Sequence, residues 1–268
     1  MKVKELLDAG DLISAIEQVT REVKTNPTQD ACRILLFELL SLAGEWDRAE
    51  KQLQVLLHMD ATLQFGVQVY LNNIKAEKAR LQLFSSGVHP HFITEPPAYV
   101  DLLLNAIREI QAGRLAEARQ QLERAEEERP ALPGTLNGIP FSDFRDASDQ
   151  TGSVLELIIH DKYTWVPWEQ IKRLEITPPR QLRDMIWTPV KIESHDGAVG
   201  EVFVFSLYPG SCRHENPQVR LGRMTEWKTL GEEVYLPVGL RLFLADEEDK
   251  SIFEAGSILF EGQNLPKG

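Results

Sequence analysis

A dipeptide that recurs along the first half of the chain constrains the fold most strongly. Ala-Gly occurs at Ala9-Gly10, Ala43-Gly44 and Ala112-Gly113, so the first two glycines are 34 residues apart and the third follows after 69, about twice that distance. An alanine stands five residues after each of these glycines, at Ala15, Ala49 and Ala118. A period of about 34 residues is typical of helical hairpins that stack into a solenoid.

The residue types fit the local geometry of such hairpins. Glycine can end a helix in the left-handed conformation, and a small alanine lets the next helix pack closely against its partner. Pro27 and Pro130 stand twelve residues after the first and last alanines, where proline would stop the second helix. We therefore predict a tetratricopeptide-like α-α superhelix over residues 1–130, in which residues 63–84 form an atypical unit with a long helix.

The second half of the chain changes to patterns that are typical of strands. Residues 130–140 are rich in proline and glycine and predict a linker, and His195-Asp196-Gly197 predicts a hairpin turn. Residues 163–166 and 182–192 are predicted strands, with a single helical turn or short helix over residues 169–174 between them. The prediction is therefore a multidomain α and β chain, with the helical repeats in residues 1–130 and a β-rich (α+β) domain in residues 131–268.

Composition narrows the classes of partner. The net charge is −12, and both halves contain more acidic than basic residues, which argues against binding to nucleic acid or to anionic membranes. No apolar run approaches the ~20 residues that a membrane helix needs. The N-terminal residues lack the apolar core of a secretory signal, and Cys32 and Cys212 are expected to be free thiols, so we expect a soluble cytoplasmic protein.

The sequence contains no recognisable constellation for catalysis, a cofactor or a metal ion. His89 and His91 are close together, but no cysteine or carboxylate accompanies them at ligand spacing. Asp184, Asp196 and Glu201 could act as acid and base, although nothing in the sequence fixes their separation. We expect a protein without enzymatic activity; the alternative is an active site at the junction of the two domains, built from Asp184 and nearby arginines.

Tryptophan and arginine residues form the candidate partner-binding set. Its members share a position in or beside the aromatic-rich part of the second half, and they are Trp165, Trp168, Arg183, Trp187, Arg223 and Trp227. Aromatic residues rimmed by arginines are enriched at protein interfaces. The alternative is that the tryptophans form the core and its seam with the helices, while the arginines pair with nearby acids. Either this patch or the concave face of the repeats could receive a partner helix. The acidic net charge favours a partner helix that carries Lys or Arg beside its apolar stripe.

Three segments carry a resemblance to a known family. Residues 163–168 read Tyr-Thr-Trp-Val-Pro-Trp, residues 182–187 read Leu-Arg-Asp-Met-Ile-Trp, and residues 221–227 read Leu-Gly-Arg-Met-Thr-Glu-Trp. With Pro96-Pro97, Ala112-Gly113 and Pro130 before them, these segments resemble the ImpE family, also called TagJ or SciE, over nearly the whole chain. Trp168 departs from the family pattern, in which a phenylalanine is expected.

The resemblance implies a function that the residues alone do not give. Members of this family are accessory proteins of bacterial type VI secretion, and the resemblance implies a cytoplasmic, non-enzymatic adaptor without a cofactor. It further implies binding to the small subunit of the contractile sheath, through a helix near the N-terminus of that subunit. A link with the ATPase that disassembles the sheath is also implied.

Overall fold

The computed structural model describes residues 2–59, 61–231 and 234–262. Helices occupy the first half, as the repeat predicted. They are α1 (Val3–Asp8), α2 (Leu12–Thr25), α3 (Asp30–Leu42), α4 (Trp46–Met59), α5 (Gln64–Ser86), α6 (Tyr99–Gln111) and α7 (Leu115–Glu128). Among the described residues, no helix combines the length and the apolar character that a membrane crossing requires.

The repeat glycines take the conformation that the sequence predicted. Gly10, Gly44 and Gly113 have φ values of +82°, +71° and +73°, so each lies in the left-handed region directly after a helix. The alanines that follow five residues later have no exposed surface. Consecutive helices pack against each other on both sides of these turns, as α1 and α2, α3 and α4, and α6 and α7. The long helix predicted over residues 63–84 is confirmed as α5, which is capped by Gly87.

Antiparallel sheets follow the helices. Their strands are β1 (Gly134–Leu136), β2 (Ile139–Phe141), β3 (Phe144–Asp146), β4 (Val154–Ile159), β5 (Lys162–Pro167), β6 (Ile171–Ile176), β7 (Trp187–Ser194), β8 (Val199–Phe205), β9 (Thr225–Leu230), β10 (Val234–Gly239), β11 (Leu242–Ala245), β12 (Glu248–Ser251) and β13 (Ser257–Phe260). Eight of them form one sheet in the order β2-β1-β13-β6-β7-β8-β4-β5. Smaller sheets are formed by β12-β11-β3 and by the hairpin β10-β9. A short helix, α8 (Pro217–Arg220), precedes β9.

Two local predictions in this half were wrong in part. Of the helical turn or short helix predicted over residues 169–174, the structure has a single 3-10 turn at Trp168–Gln170, which leads directly into β6, whose apolar residues are buried in the large sheet. The predicted strand over residues 182–192 begins only at Trp187. Before it, Leu182–Met185 is a 3-10 turn that is held by Asp184, which accepts hydrogen bonds from the amides of Arg180 and Gln181 at 2.9 and 3.0 Å.

The hydrophobic core is continuous between the helices and the large sheet. One cluster combines buried leucines of α3 with Trp165 of β5, Trp187 of β7 and Phe205 of β8. A second cluster lies on the opposite face of the sheet and contains Trp168 and buried residues of β11 and β13. The order of a helical part followed by an antiparallel β-rich part is as predicted, and the helices are packed onto the sheet by a shared core.

Candidate partner-binding surfaces

The three central tryptophans of the candidate set are fully buried. The indole of Trp165 donates to the Tyr163 hydroxyl at 2.6 Å, and that of Trp168 donates to the carbonyl of Gly152 at 3.1 Å. The indole of Trp187 donates to a carboxylate oxygen of Glu77 at 3.3 Å. Each indole N–H is thus satisfied inside the protein, and a partner could touch these rings only if the core opened.

Trp187 lies at the seam between the helices and the sheet. Its ring is 6.0 Å from that of Trp46 in α4 and 6.3 Å from those of Phe37 in α3 and Tyr70 in α5, measured between centroids. Side chains from three consecutive helices therefore converge on one residue of β7. Trp187 therefore lies in a seam with the helices, which was predicted as the alternative to a contact patch.

Arg183 belongs to the same seam. Its guanidinium forms an ion pair with Glu38 of α3 and donates to the Tyr70 hydroxyl at 2.7 Å. It also lies over the Tyr70 ring, 4.9 Å from the centroid. Burial raises the pKa of Glu38 in spite of the neighbouring arginine. Arg183 thus fastens the turn before β7 to α3 and α5, through its Nε and one of its terminal nitrogens.

Arg223 and Trp227 are the exposed members of the set. Arg223 donates to the carbonyl of Leu7 at 3.0 Å, so it contacts the end of α1. Trp227 exposes 50% of its surface on β9, and Tyr235 exposes 48% on β10. Trp227 and Tyr235 lie on one face of the hairpin, because Trp227 is opposite Pro237 in the register and Tyr235 is two residues before it. Of the six candidate residues, Arg223 and Trp227 are the ones that a partner could reach directly.

A buried charge network that was not predicted from the sequence joins the helices to the sheets. Arg80 of α5 binds both carboxylate oxygens of Glu156 in β4 at 2.8 Å. Arg241 forms ion pairs with Glu156 and with Asp146 of β3. Burial alone would raise the pKa of Glu156, but the two arginines outweigh it and hold this pKa at about 2. The available signal was a single glutamate inside the apolar run of residues 154–159.

The carboxylates named for the enzymatic alternative have local structural roles. Asp184 holds the turn before β7, as described above. Asp196 lies in the β7–β8 hairpin turn and accepts a hydrogen bond from the Ala198 amide at 3.1 Å. Glu201 is exposed on β8, opposite Lys191 in the register. Within residues 2–59, 61–231 and 234–262, no three His, Cys, Asp or Glu side chains are grouped as metal ligands.

An open groove of about 590 Å³ runs along α2. Leu12, Ile13, Ile16 and Ala43 supply its apolar surface, and Cys212 and Arg220 from the β-rich half also line it. Ile13 is 69% exposed, although it lies one residue after the buried Leu12. A large aliphatic side chain that faces solvent beside a groove is a candidate anchor point for a partner.

A second groove, of about 340 Å³, lies beside α7 and is polar. Its charges are largely paired with one another: Arg145 binds Asp149 at 2.6 Å and Glu126 at 3.1 Å, and Arg119 binds Glu123 at 2.8 Å. The groove along α2 therefore offers more apolar surface. The groove beside α7 is lined by ion pairs, some of which join that helix to the β-rich half.

Comparisons with known proteins agree with this architecture. A model of the family described as ImpE protein matches residues 138–259. The type VI secretion system accessory component TagJ of Pseudomonas aeruginosa is 34% identical over 262 residues, which cover 97% of this chain and 92% of that protein. The crystal structure of protein VPA1032 from Vibrio parahaemolyticus superposes with a TM-score of 0.91 at 25% identity, covering 98% of this chain and 99% of that one.

Proposed function

This chain belongs to the ImpE family of type VI secretion accessory proteins, and we propose that it is a cytoplasmic, non-enzymatic adaptor of that system. Its partner in this proposal is the small subunit of the contractile sheath, which it binds through a helix near the N-terminus of that subunit. It would thereby assist the assembly and disassembly of the sheath, in connection with the disassembly ATPase. The partner is proposed from the family resemblance, and the docking site from the geometry.

The observation that carries the docking site is the groove along α2. Its apolar surface includes the exposed Ile13, and its lining combines α2 with the α3–α4 turn and with Cys212 and Arg220 of the β-rich half. Helical repeats bind peptides and helices in such concave channels, where a helix is about 10 Å wide. The left-handed glycine turns at a spacing of 34 residues support a tetratricopeptide-like class for residues 1–130, and residues 131–268 are proposed as the second domain.

The tryptophan and arginine set then divides into two roles. Trp165, Trp168, Arg183 and Trp187 would act on binding indirectly, because they fix the helical repeats against the sheet. Trp227 and Arg223 remain available for direct contact with a partner. We propose that the groove is the primary site, and that the exposed face of the β9–β10 hairpin is the competing site that an experiment must separate from it.

A titration with two matched variants tests this proposal. A labelled peptide from the N-terminus of the sheath small subunit is titrated into the full chain and into Ile13→Asp and Trp227→Ala. We expect Ile13→Asp to weaken binding by about tenfold or more, because it places a charge on the apolar surface of the groove, whereas Trp227→Ala leaves the Kd unchanged. Loss of binding in Trp227→Ala alone would move the site to the hairpin, and no binding to the native chain would refute this partner.

A further inference from the structure

We propose that the groove along α2 selects an amphipathic helix whose polar flank carries carboxylates. This inference rests on the proposed function, since it assumes that the groove is a docking site, and it specifies the chemistry of the occupant. The acidic partner helix proposed here has the opposite charge to the one expected from the net charge of the chain, which favoured a basic partner helix.

The rim of the groove is cationic in a chain of net charge −12. Arg21, Lys24, Arg48 and Arg220 line it, against two acidic residues, Glu17 and Glu45. The acidic excess of the chain therefore lies elsewhere, and a helix that enters this groove meets positive charge next to the apolar surface.

These four basic side chains differ in whether they already have hydrogen-bond or ion-pair partners within the protein. Arg48 is paired with Glu45 at 2.5 Å, and Arg220 donates to the carbonyls of His214 and Glu215 at 2.8 and 3.1 Å. Arg21 and Lys24 are exposed, and within the part of the chain that the structure describes neither side chain has a hydrogen-bond or ion-pair partner. They are the two cations whose charge is open to a ligand.

Arg21 and Lys24 follow the apolar surface of the groove along α2. Arg21 and Lys24 are three residues apart and therefore lie close together on the surface of α2. Ile13 and Ile16 lie about one to three turns earlier on the same helix and line the same groove. A partner helix along α2 would place its apolar stripe on the isoleucines and acidic side chains beside the last turns of α2.

Two synthetic peptides of about 15 residues, the length that matches α2, provide the test. Both carry the same leucine stripe at helical spacing; one has glutamates on its flank and the other has lysines. Each is titrated into the full native chain, into Arg21→Glu/Lys24→Glu, and into the control Arg180→Glu/Lys191→Glu. The control changes the net charge equally, at exposed basic residues that do not line the groove.

We expect the glutamate-flanked peptide to bind the native chain at least roughly tenfold more tightly than the lysine-flanked peptide, with affinity falling as salt is raised. Arg21→Glu/Lys24→Glu should remove that preference, and the control should keep it. Equal binding of both peptides, preference for the lysine-flanked peptide, or a preference that survives the charge reversal would overturn the inference.

The sheath peptide separates this inference from the proposed function. If the glutamate-flanked peptide behaves as expected and the sheath peptide does not bind, the groove chemistry stands and the sheath partner is refuted. If the sheath peptide binds with the same Kd to the native chain and to Arg21→Glu/Lys24→Glu, and the glutamate-flanked peptide shows no preference, the adaptor function stands and the acidic occupant is refuted.

Discussion

The turn at Gly44 provides the most specific stability prediction, because the chain contains its own control. Gly44 and Gly113 both end a helix in the left-handed conformation, at φ +71° and +73°. They differ in their surroundings: a Cβ atom at Gly44 would lie 2.6 Å from Sγ of Cys212, whereas nothing is within 4 Å of the same position at Gly113. The comparison isolates the contact between the α3–α4 turn and the β-rich half.

The magnitudes follow from these two geometries. Gly113→Ala should cost about 1–2 kcal/mol, the penalty for a Cβ in the left-handed region. Gly44→Ala carries the same penalty and also forces the Cys212 side chain to move, which adds about 1–3 kcal/mol of overpacking. Cys212→Ala removes the sulfur, so Gly44→Ala should cost less in that background, while Gly113→Ala should cost the same with or without Cys212.

Urea unfolding of the native chain, the single variants and the double variants measures these free energies. The reasoning is refuted if Gly44→Ala and Gly113→Ala are equally destabilising, or if Cys212→Ala leaves the cost of Gly44→Ala unchanged. Either result would mean that the first repeats do not approach the β-rich half as closely as the structure places them.

Further predictions concern the seam and its charges. Glu156→Gln should destabilise the chain by about 3–5 kcal/mol at neutral pH, because it leaves Arg80 and Arg241 buried with too little negative charge. Since the pKa of Glu156 is lowered from 4.5 to about 2 in the folded chain, its contribution to the free energy of unfolding is complete above pH about 5. The difference in this free energy between the native chain and Glu156→Gln should therefore narrow as the pH falls toward 2. A difference that is constant with pH would contradict the assignment. Trp187→Ala should cost about 3–5 kcal/mol by opening a cavity at the seam, and an unchanged midpoint in circular dichroism would count against that position.

Local chemistry explains which parts of the fold could be predicted. A glycine that ends a helix and an alanine that packs against the next one act within a few residues, so the turns at Gly10, Gly44 and Gly113 were readable from spacing alone. The alternative of a tryptophan seam was available for a similar reason, since large aromatic residues between prolines favour burial. The turn at residues 182–185 was missed because the Asp184 side chain stabilises it by accepting hydrogen bonds from the preceding amides of Arg180 and Gln181, which hydrophobic periodicity does not reveal.

Non-local contacts account for the remainder. Arg80 and Glu156 are 76 residues apart, and no pattern in either segment identifies the other as its partner. Net charge does not predict the charge of one groove, because it sums over the whole surface, whereas Arg220 joins Arg21 and Lys24 of α2 from a distant part of the chain. The burial of Trp165 and Trp168 likewise depends on strands and helices that are distant in sequence.

Hydrogen exchange of the full chain, with and without the purified small sheath subunit, tests the central claim most directly. If the chain is an adaptor that receives a partner helix along α2, amides in residues 12–24 and in the turn at residues 43–48 should exchange more slowly in the complex, while those of the β9–β10 hairpin should be unchanged. Protection confined to the hairpin, or no protection anywhere at saturating sheath subunit, would contradict the account.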